Sequence, residues 1–193
     1  MFFYKFFKTK KFLKSFTTIE MLISLTIIIL ISSLVFNFSK ISQYQSELKA
    51  QGDLIIADLK RVQDNSYLAV EYPTENKKVI PCGYGIRFDS SDPEQYKYEL
   101  VVNLNISNCS NICSALTPAS ALSENKKILK PIMKLSLQPT FNSIVFLPPK
   151  GEAVFCNGSA LLNNIQGIIT LQIKDEPDNK IDIKVNSFGG ISF

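Results

Sequence analysis

The chain of 193 residues lacks histidine, which removes the commonest general base and metal ligand from its chemistry. No glycine-rich phosphate loop follows a strand-like segment. Serine and cysteine are present, but no base that would activate either one as a nucleophile can be recognised. Arg61 and Arg87 are the two arginines, too few for the usual phosphate-reading surface. These absences argue against an enzyme and against a nucleic-acid-binding protein, and we expect no cofactor.

Charge is distributed unevenly between the start of the chain and the rest. The whole chain carries 21 Lys and Arg against 17 Asp and Glu. The first 15 residues contain no acid and five lysines, namely Lys5, Lys8, Lys10, Lys11 and Lys14. Without those five, 16 basic residues face 17 acidic ones. The calculated pI of 8.8 therefore comes from the N-terminal segment and indicates no basic patch for nucleic acid.

A long apolar run follows the basic segment. From Phe16 to Phe36 there are 21 residues, which as a helix span about 31 Å and match a bilayer core of roughly 30 Å. Glu20 is the one charge in the run, and a carboxylate there costs roughly 2.5–3.5 kcal/mol unless it is paired. One partner that fits is the amine of a new N-terminus, made by cutting the chain before Phe16. The positive-inside rule predicts a cytoplasmic N-terminal segment and an exported remainder.

Two simpler interpretations of this run explain less of it. A cleaved secretory signal has an apolar region of about 7–15 residues followed by a small-x-small cleavage site. This run is longer, and Ser32-Ser33 followed by Leu-Val-Phe matches such a site poorly. A plain signal anchor fits the length and the flanking lysines, but it leaves the position of Glu20 unexplained.

The residues Lys14-Ser15-Phe16-Thr17-Thr18-Ile19-Glu20 resemble the processing motif of the type IV prepilin and pseudopilin family. That motif is a basic leader and a small residue, then Phe, Thr, Leu, Ile and Glu running into a hydrophobic helix. Ser15 stands where Gly is usual, and Thr18 where Leu is usual. The resemblance implies that a membrane prepilin peptidase cleaves between Ser15 and Phe16 and that the Phe16 amine is methylated. It also implies that Glu20 pairs with the N-terminus of a neighbouring subunit. The filament would be assembled by an inner-membrane platform.

The helix is predicted to continue beyond the membrane as an amphipathic segment, because no proline occurs between 37 and 70. Apolar residues at intervals of three, four and seven form one stripe: Ile41, Tyr44, Leu48, Ile55, Leu59 and Val62. The opposite face is polar, with Lys40, Gln45, Lys49, Asp53, Lys60 and Asp64. Gly52 predicts a weak point or bend, and Pro73 an end to the helix.

Beyond Pro73 the pattern becomes strand-like. Predicted strands cover 84–88, 96–102, 143–147, 151–156 and 191–193. A terminal hairpin is predicted from the alternation of 169–173 and 181–185 around a turn at 176–179. The Ser- and Asn-rich region 106–127 predicts a long loop. The segments 82–89, 143–149 and the terminal hairpin resemble the GspH/FimT-like subfamily of minor pseudopilins and pilins, which implies two small antiparallel sheets against the helix end.

The domain prediction is a leader over 1–15 that is removed, a transmembrane helix over 16–36, its amphipathic continuation over 37–70, and a β-rich head over 71–193. The fold class is α+β, pilin-like, with a long N-terminal helix packed on an antiparallel sheet.

The four cysteines lie in the part predicted to be exported, where disulfides are favoured. They are Cys82, Cys109, Cys113 and Cys156. Of the three possible pairings, we expect Cys109–Cys113 and Cys82–Cys156. A four-cysteine zinc site and free buried thiols stay open as alternatives, although Cys109-Ser-Asn-Ile-Cys113 has no matching second pair.

Two acidic loops contain oxygen ligands of the kind that calcium takes. One holds Asp89, Asp92 and Glu94, and the other holds Asp175, Glu176 and Asp178. Neither has an ordered ligand spacing, and solvated turn residues explain both. We expect no metal.

The sequence thus predicts a structural subunit, minor by the subfamily resemblance, of a type II secretion pseudopilus or a type IV pilus. It would be a single-pass membrane protein with a cytoplasmic N-terminus, joining other such subunits in a periplasmic or cell-surface filament. The alternative is a membrane-anchored exported binding module, outside any filament, that recognises a ligand, a surface or DNA.

Overall fold

The computed structural model describes residues 17–74, 77–89, 96–105, 109–114, 116–119, 126–162 and 166–193. The chain divides into two compact units, Met1–Ser42 and Gln43–Phe193. One helix, α1 (Thr18–Tyr67), contributes residues to both. The predicted leader and the predicted cleavage site, Ser15 and Phe16, lie outside the described residues.

The part of α1 in the first unit is apolar and exposed. Every side chain from Thr18 to Val35 is exposed, and the most apolar 18-residue window has a mean hydropathy of 2.5 with none of it buried. Within the described part of the chain, α1 is the one helix long and apolar enough to cross a membrane.

The second half of α1 packs on antiparallel sheets and belongs to the globular unit, Gln43–Phe193. Most of the predicted stripe is confirmed, since Leu48, Ile55, Leu59 and Val62 are at most 2 % exposed and Tyr44 packs against them. Ile41 is 41 % exposed and belongs to the other unit. The six residues of the predicted polar face are all exposed. The α+β architecture is therefore the one predicted, with the stripe as the helix's contribution to the core.

The helix continues through Gly52, where a Cβ would lie only 3.2 Å from the Phe193 ring, so this glycine makes room for the Phe193 side chain. The end of the helix differs from the one predicted at Pro73. The helix ends at Tyr67, well before Pro73. There Ala69 has a φ of 45° and its N–H donates to the Ser66 carbonyl, while the Val70 N–H donates to Asn65. These two hydrogen bonds are the Schellman motif that closes helix C-termini.

The strands of the described residues form three antiparallel sheets. Their bounds are β1 (Tyr72–Pro73), β2 (Lys78–Val79), β3 (Gly83–Asp89), β4 (Lys97–Asn103), β5 (Leu116–Pro118), β6 (Lys126–Ile128), β7 (Met133–Gln138), β8 (Ser143–Leu147), β9 (Glu152–Asn157), β10 (Ala160–Leu162), β11 (Gln166–Ile173), β12 (Glu176–Asn186) and β13 (Ile191–Ser192). The large sheet has the order β10-β9-β8-β3-β4-β5, with β6 also on β4. The small sheet has the order β13-β12-β11-β7, and β1 pairs with β2.

The predicted strands are found, but two connections differ from prediction. Region 106–127, predicted as a loop, contains a 3-10 turn at Cys109–Asn111, strand β5, which pairs with β4, and the first two residues of β6. In the terminal hairpin the chain reverses at 174–175 instead of 176–179. Gln172 pairs with Lys180 while Ile173 pairs with Glu176, so the three residues between form a bulge inside β12.

The large sheet has two covered faces. On one face the side chains of Tyr84, Ile86 and Phe88 join the main core with the stripe of α1. On the other face, Val145 and Cys156 are fully buried in a second, smaller cluster that also contains Cys113. We call this second side the outer face. Since strand residues alternate between faces, the second cluster belongs to a separate layer of packing.

Candidate functional site

The start of α1 has a defined local geometry around Glu20. The Oγ1 of Thr17, which precedes the helix, accepts a hydrogen bond from the Glu20 N–H at 3.3 Å and donates to Glu20 Oε2 at 3.5 Å. Ser24 Oγ donates to the Glu20 carbonyl at 2.8 Å. This Thr-x-x-Glu arrangement is a variant of the capping box, and the carboxylate lies where the helix dipole favours an anion. The spacing from Thr17 to Glu20 is the signal in the sequence for this cap.

Glu20 is exposed, and no ion pair to it occurs among the described residues. The hydrogen bond to its carboxylate comes from the uncharged Thr17 hydroxyl and is long, at 3.5 Å. From Thr18 to Val35 it is the one charged residue, on a mostly apolar and exposed surface. The carboxylate is therefore available to a cationic partner from outside the described part of the chain.

The disulfide pairing differs from the prediction. Cys82 bonds to Cys109 and Cys113 to Cys156, with Cα–Cα distances of 5.4 and 5.6 Å. Cys82 immediately precedes β3 and Cys156 lies on β9, with β8 between them. Two strand spacings separate such residues by about 9–10 Å, whereas a disulfide requires Cα atoms within about 7 Å. All four cysteines are bridged, which leaves no thiol for the zinc-site or free-thiol alternatives.

The two bridges hold one segment over the outer face. We call residues 109–114 and 116–118 the strap. Asn103 Nδ2 donates to the Ile112 carbonyl at 2.8 Å, and Thr117 Oγ1 donates to Val102 at 3.2 Å. Ile112 and Leu116 pack over Val145 and the Cys113–Cys156 bridge. The strap thus buries a sheet face that would otherwise meet water.

An apolar groove of about 460 Å³ lies beside the strap. Its lining residues are Ala69, Ile80, Pro81, Cys82, Cys109, Ile112, Leu147, Pro148 and Pro149. Ile80 is 50 % exposed, and Leu68, next to Ala69 in the chain, is 75 % exposed. The sequence did not predict the groove or these exposed side chains, because the lining comes from four separated segments of the sequence.

A buried polar cluster lies between α1 and the large sheet. Asp58 is 5 % exposed, accepts a hydrogen bond from Tyr98 at 2.8 Å and pairs with Lys127 at 2.9 Å. Burial raises the pKa of Tyr98, and the hydrogen bond to Asp58 and the Asp58 charge raise it further. Tyr84 donates to the Val70 carbonyl, and burial raises its pKa to about 12. These groups attach α1 and the segment after it to β3, β4 and β6.

The acidic loops show no metal site in the part of the chain described. Asp89 is exposed at the end of β3, and Asp92 and Glu94 lie outside the described residues. In the second loop Asp175 and Asp178 are exposed, and Glu176 accepts a hydrogen bond from Asn179. No group of three His, Cys, Asp or Glu among the described residues could hold a metal ion.

The arrangement as a whole is an exposed apolar helix with one carboxylate at its start and a disulfide-bridged α+β unit. Comparison of the chain with protein-family models, with curated proteins and with solved structures gave no match. The contacts described above allow non-covalent pairing at Glu20, apolar packing along α1 and disulfide chemistry at the two bridges.

Proposed function

We propose that this protein is a structural subunit of a filament that is assembled out of a membrane, of the kind formed by type IV pilins and type II secretion pseudopilins. The observation that supports the proposal is the single carboxylate of Glu20 at the start of an exposed apolar helix. An anchor that only tethers a head to a membrane needs no charge at that position, and the charge opposes insertion.

The carboxylate acquires a purpose when copies of α1 pack together. Cleavage between Ser15 and Phe16 by a prepilin peptidase would create an amine at the end of the helix that carries Glu20, and methylation would leave that amine cationic. In a bundle of apolar helices the amine of one subunit and Glu20 of the next attract strongly, and either group left unpaired is costly. The pair therefore sets the axial register between subunits. Before assembly, the Thr17 hydroxyl is a weak hydrogen-bond partner of Glu20.

The remaining parts of the chain fit this role. The N-terminal lysines would keep the leader in the cytoplasm, and the bridged globular unit suits an oxidising compartment outside it. The subunit would join other pilin or pseudopilin subunits through an inner-membrane assembly platform. We propose a minor subunit of a type II secretion pseudopilus or a type IV pilus, in a periplasmic or cell-surface filament.

The test replaces Glu20 with its uncharged isostere. Glu20→Gln should insert into the membrane as the wild type does but be lost from the sheared filament fraction, because the amine of its neighbour has no anion to meet. Asp53→Asn, which removes an exposed acid from the same helix, is the matched control and should assemble. Normal assembly of Glu20→Gln would refute the pairing role.

A separate experiment tests processing. N-terminal sequencing of the assembled subunit should begin at Phe16, and a sequence beginning at Met1 would contradict processing.

A membrane-anchored binding module is the second candidate, and the apolar groove beside the strap is the observation that favours it. In that case the wild-type chain should stay monomeric in the membrane and Glu20→Gln should behave like it. The same filament assay therefore separates the two candidates.

A further inference from the structure

The two disulfides differ in their access to solvent. Cys109 is exposed, and its partner Cys82 is 8 % exposed at the edge of the apolar groove. In the other bridge Cys113 is 7 % and Cys156 is 0 % exposed. A thiolate must reach a sulfur atom to exchange with a disulfide, and of the two bridges only Cys82–Cys109 contains an exposed residue.

We propose that the Cys82–Cys109 bridge is a site of thiol–disulfide exchange with an external dithiol, whereas Cys113–Cys156 is a permanent structural bond. The dithiol's first thiolate attacks Cys109 Sγ, the bond between Cys109 and Cys82 breaks, and Cys82 leaves as a thiolate that takes a proton from water. The dithiol's second thiolate then attacks the dithiol's first sulfur, which is bonded to Cys109 Sγ in the mixed disulfide. Cys109 leaves as a thiolate and takes a proton from water. The dithiol is oxidised to a disulfide, and the protein gains two electrons and two protons.

The surroundings of Cys82 favour the reduced product. Cys82 Sγ lies 3.2 Å from the Asn105 carbonyl oxygen, which can accept a hydrogen bond from the new thiol. The carbonyl is already in place, so Cys82 needs little rearrangement after the bond breaks. The leaving sulfur of Cys82 therefore has a hydrogen-bond acceptor inside the protein, whereas the attacked residue, Cys109, is exposed.

Exchange at this bridge would loosen one end of the strap and leave the other end in place. Cys109 and Cys82 form part of the groove wall, so their separation widens the groove. The rest of the strap stays fastened by Cys113–Cys156 and by the pairing of β5 with β4. The outer-face cluster around Val145 therefore remains covered, and the redox state of one bridge changes only the surface next to it.

The experiment uses the full chain in detergent micelles and dithiothreitol as the dithiol. Limited reduction is followed by alkylation of the released thiols and peptide mass spectrometry. Cys82 and Cys109 should be alkylated faster than Cys113 and Cys156 by about tenfold or more, as expected for access-limited exchange. Alkylation of all four at the same rate, of Cys113 and Cys156 first, or of none before unfolding would overturn the proposal.

Two double variants provide matched controls. Cys82→Ser/Cys109→Ser should release no thiol under the same limited reduction, and Cys113→Ser/Cys156→Ser should keep the fast phase. Loss of the fast phase in the second variant while its circular dichroism stays native would overturn the proposal. If either variant fails to fold, the order of alkylation in the wild type still decides. The exchange does not depend on filament assembly, so its failure leaves the proposed function intact.

Discussion

Asp58 on α1 and Tyr98 on β4 are joined by a hydrogen bond of 2.8 Å from the phenol to Oδ2 of the carboxylate. Lys127 Nζ lies 2.9 Å from the same oxygen and 3.0 Å from Oδ1. One buried carboxylate therefore meets a phenol and an ammonium from two neighbouring strands. Because a buried charge is tolerated only when it is paired and hydrogen-bonded, this contact selects one position of α1 along the sheet.

Removing that carboxylate should destabilise the globular unit. Asp58→Ala leaves the Tyr98 hydroxyl and the Lys127 ammonium without their shared partner, and we expect a loss of about 3 kcal/mol in the free energy of unfolding. Urea unfolding of the full chain in detergent measures it. The control is Asp53→Ala. Asp53 is exposed on the same helix, so this substitution should change the free energy of unfolding by less than about 0.5 kcal/mol. Equal effects of the two substitutions would show that the buried cluster contributes nothing.

Alkaline pH should weaken the fold through Tyr84. In the unfolded chain this phenol ionises near its ordinary pKa of 10.0, whereas burial raises its pKa to about 12 in the folded protein. Between these values the folded state keeps a proton that the unfolded state has lost. Its contribution to stability is therefore complete below pH 10 and is lost as the pH rises through about 12.

The measurement is the free energy of unfolding across that pH window for wild type and Tyr84→Phe. Phenylalanine does not ionise, so the variant should show a shallower decline. Tyr98, whose pKa burial and Asp58 also raise, is present in both proteins and does not affect the difference. Parallel curves for the two proteins would contradict the raised pKa of Tyr84.

Alanine-to-glycine substitutions at the end of α1 and inside it should change the free energy of unfolding in opposite directions. Ala69 has a φ of 45°, a left-handed conformation that costs a residue with a Cβ about 1–2 kcal/mol. Ala69→Gly should therefore raise the free energy of unfolding by about 0.5–1 kcal/mol, once the greater freedom of glycine in the unfolded chain is subtracted. Ala57→Gly, at an exposed position inside the same helix, should lower it by about 1 kcal/mol. Thermal unfolding in detergent compares the two, and a loss of stability in Ala69→Gly would mean that the helix does not end in the Schellman motif.

Much of the secondary structure could be predicted because the spacing of apolar residues along a segment indicates which of its faces is buried. The alternation of Ile169, Leu171 and Ile173 predicted a strand with one buried face, and the burial of all three confirms it. The spacing of Leu48, Ile55 and Leu59 predicted the buried stripe of α1 in the same way. Periodicity of this kind is a local property of the chain.

The contacts between distant segments could not be predicted in this way. The pairing of Cys82 with Cys109 depends on the position of β8 between β3 and β9, and nothing local to a cysteine records the order of strands in a sheet. Asp58 is one acid among several on a helix, and its burial depends on Tyr98 and Lys127 arriving from other strands. The helix end at Ala69 was missed because alanine, unlike glycine, seldom marks a left-handed residue.

By itself the sequence determined the membrane-length apolar helix, the lone acid at its start, the buried stripe and the main strands. Each of these follows from the length, charge or period of a continuous segment. Tertiary structure alone decided which cysteines are joined, where the groove lies and which acid is buried. Those features depend on strand order and register, which bring together atoms that are far apart along the chain.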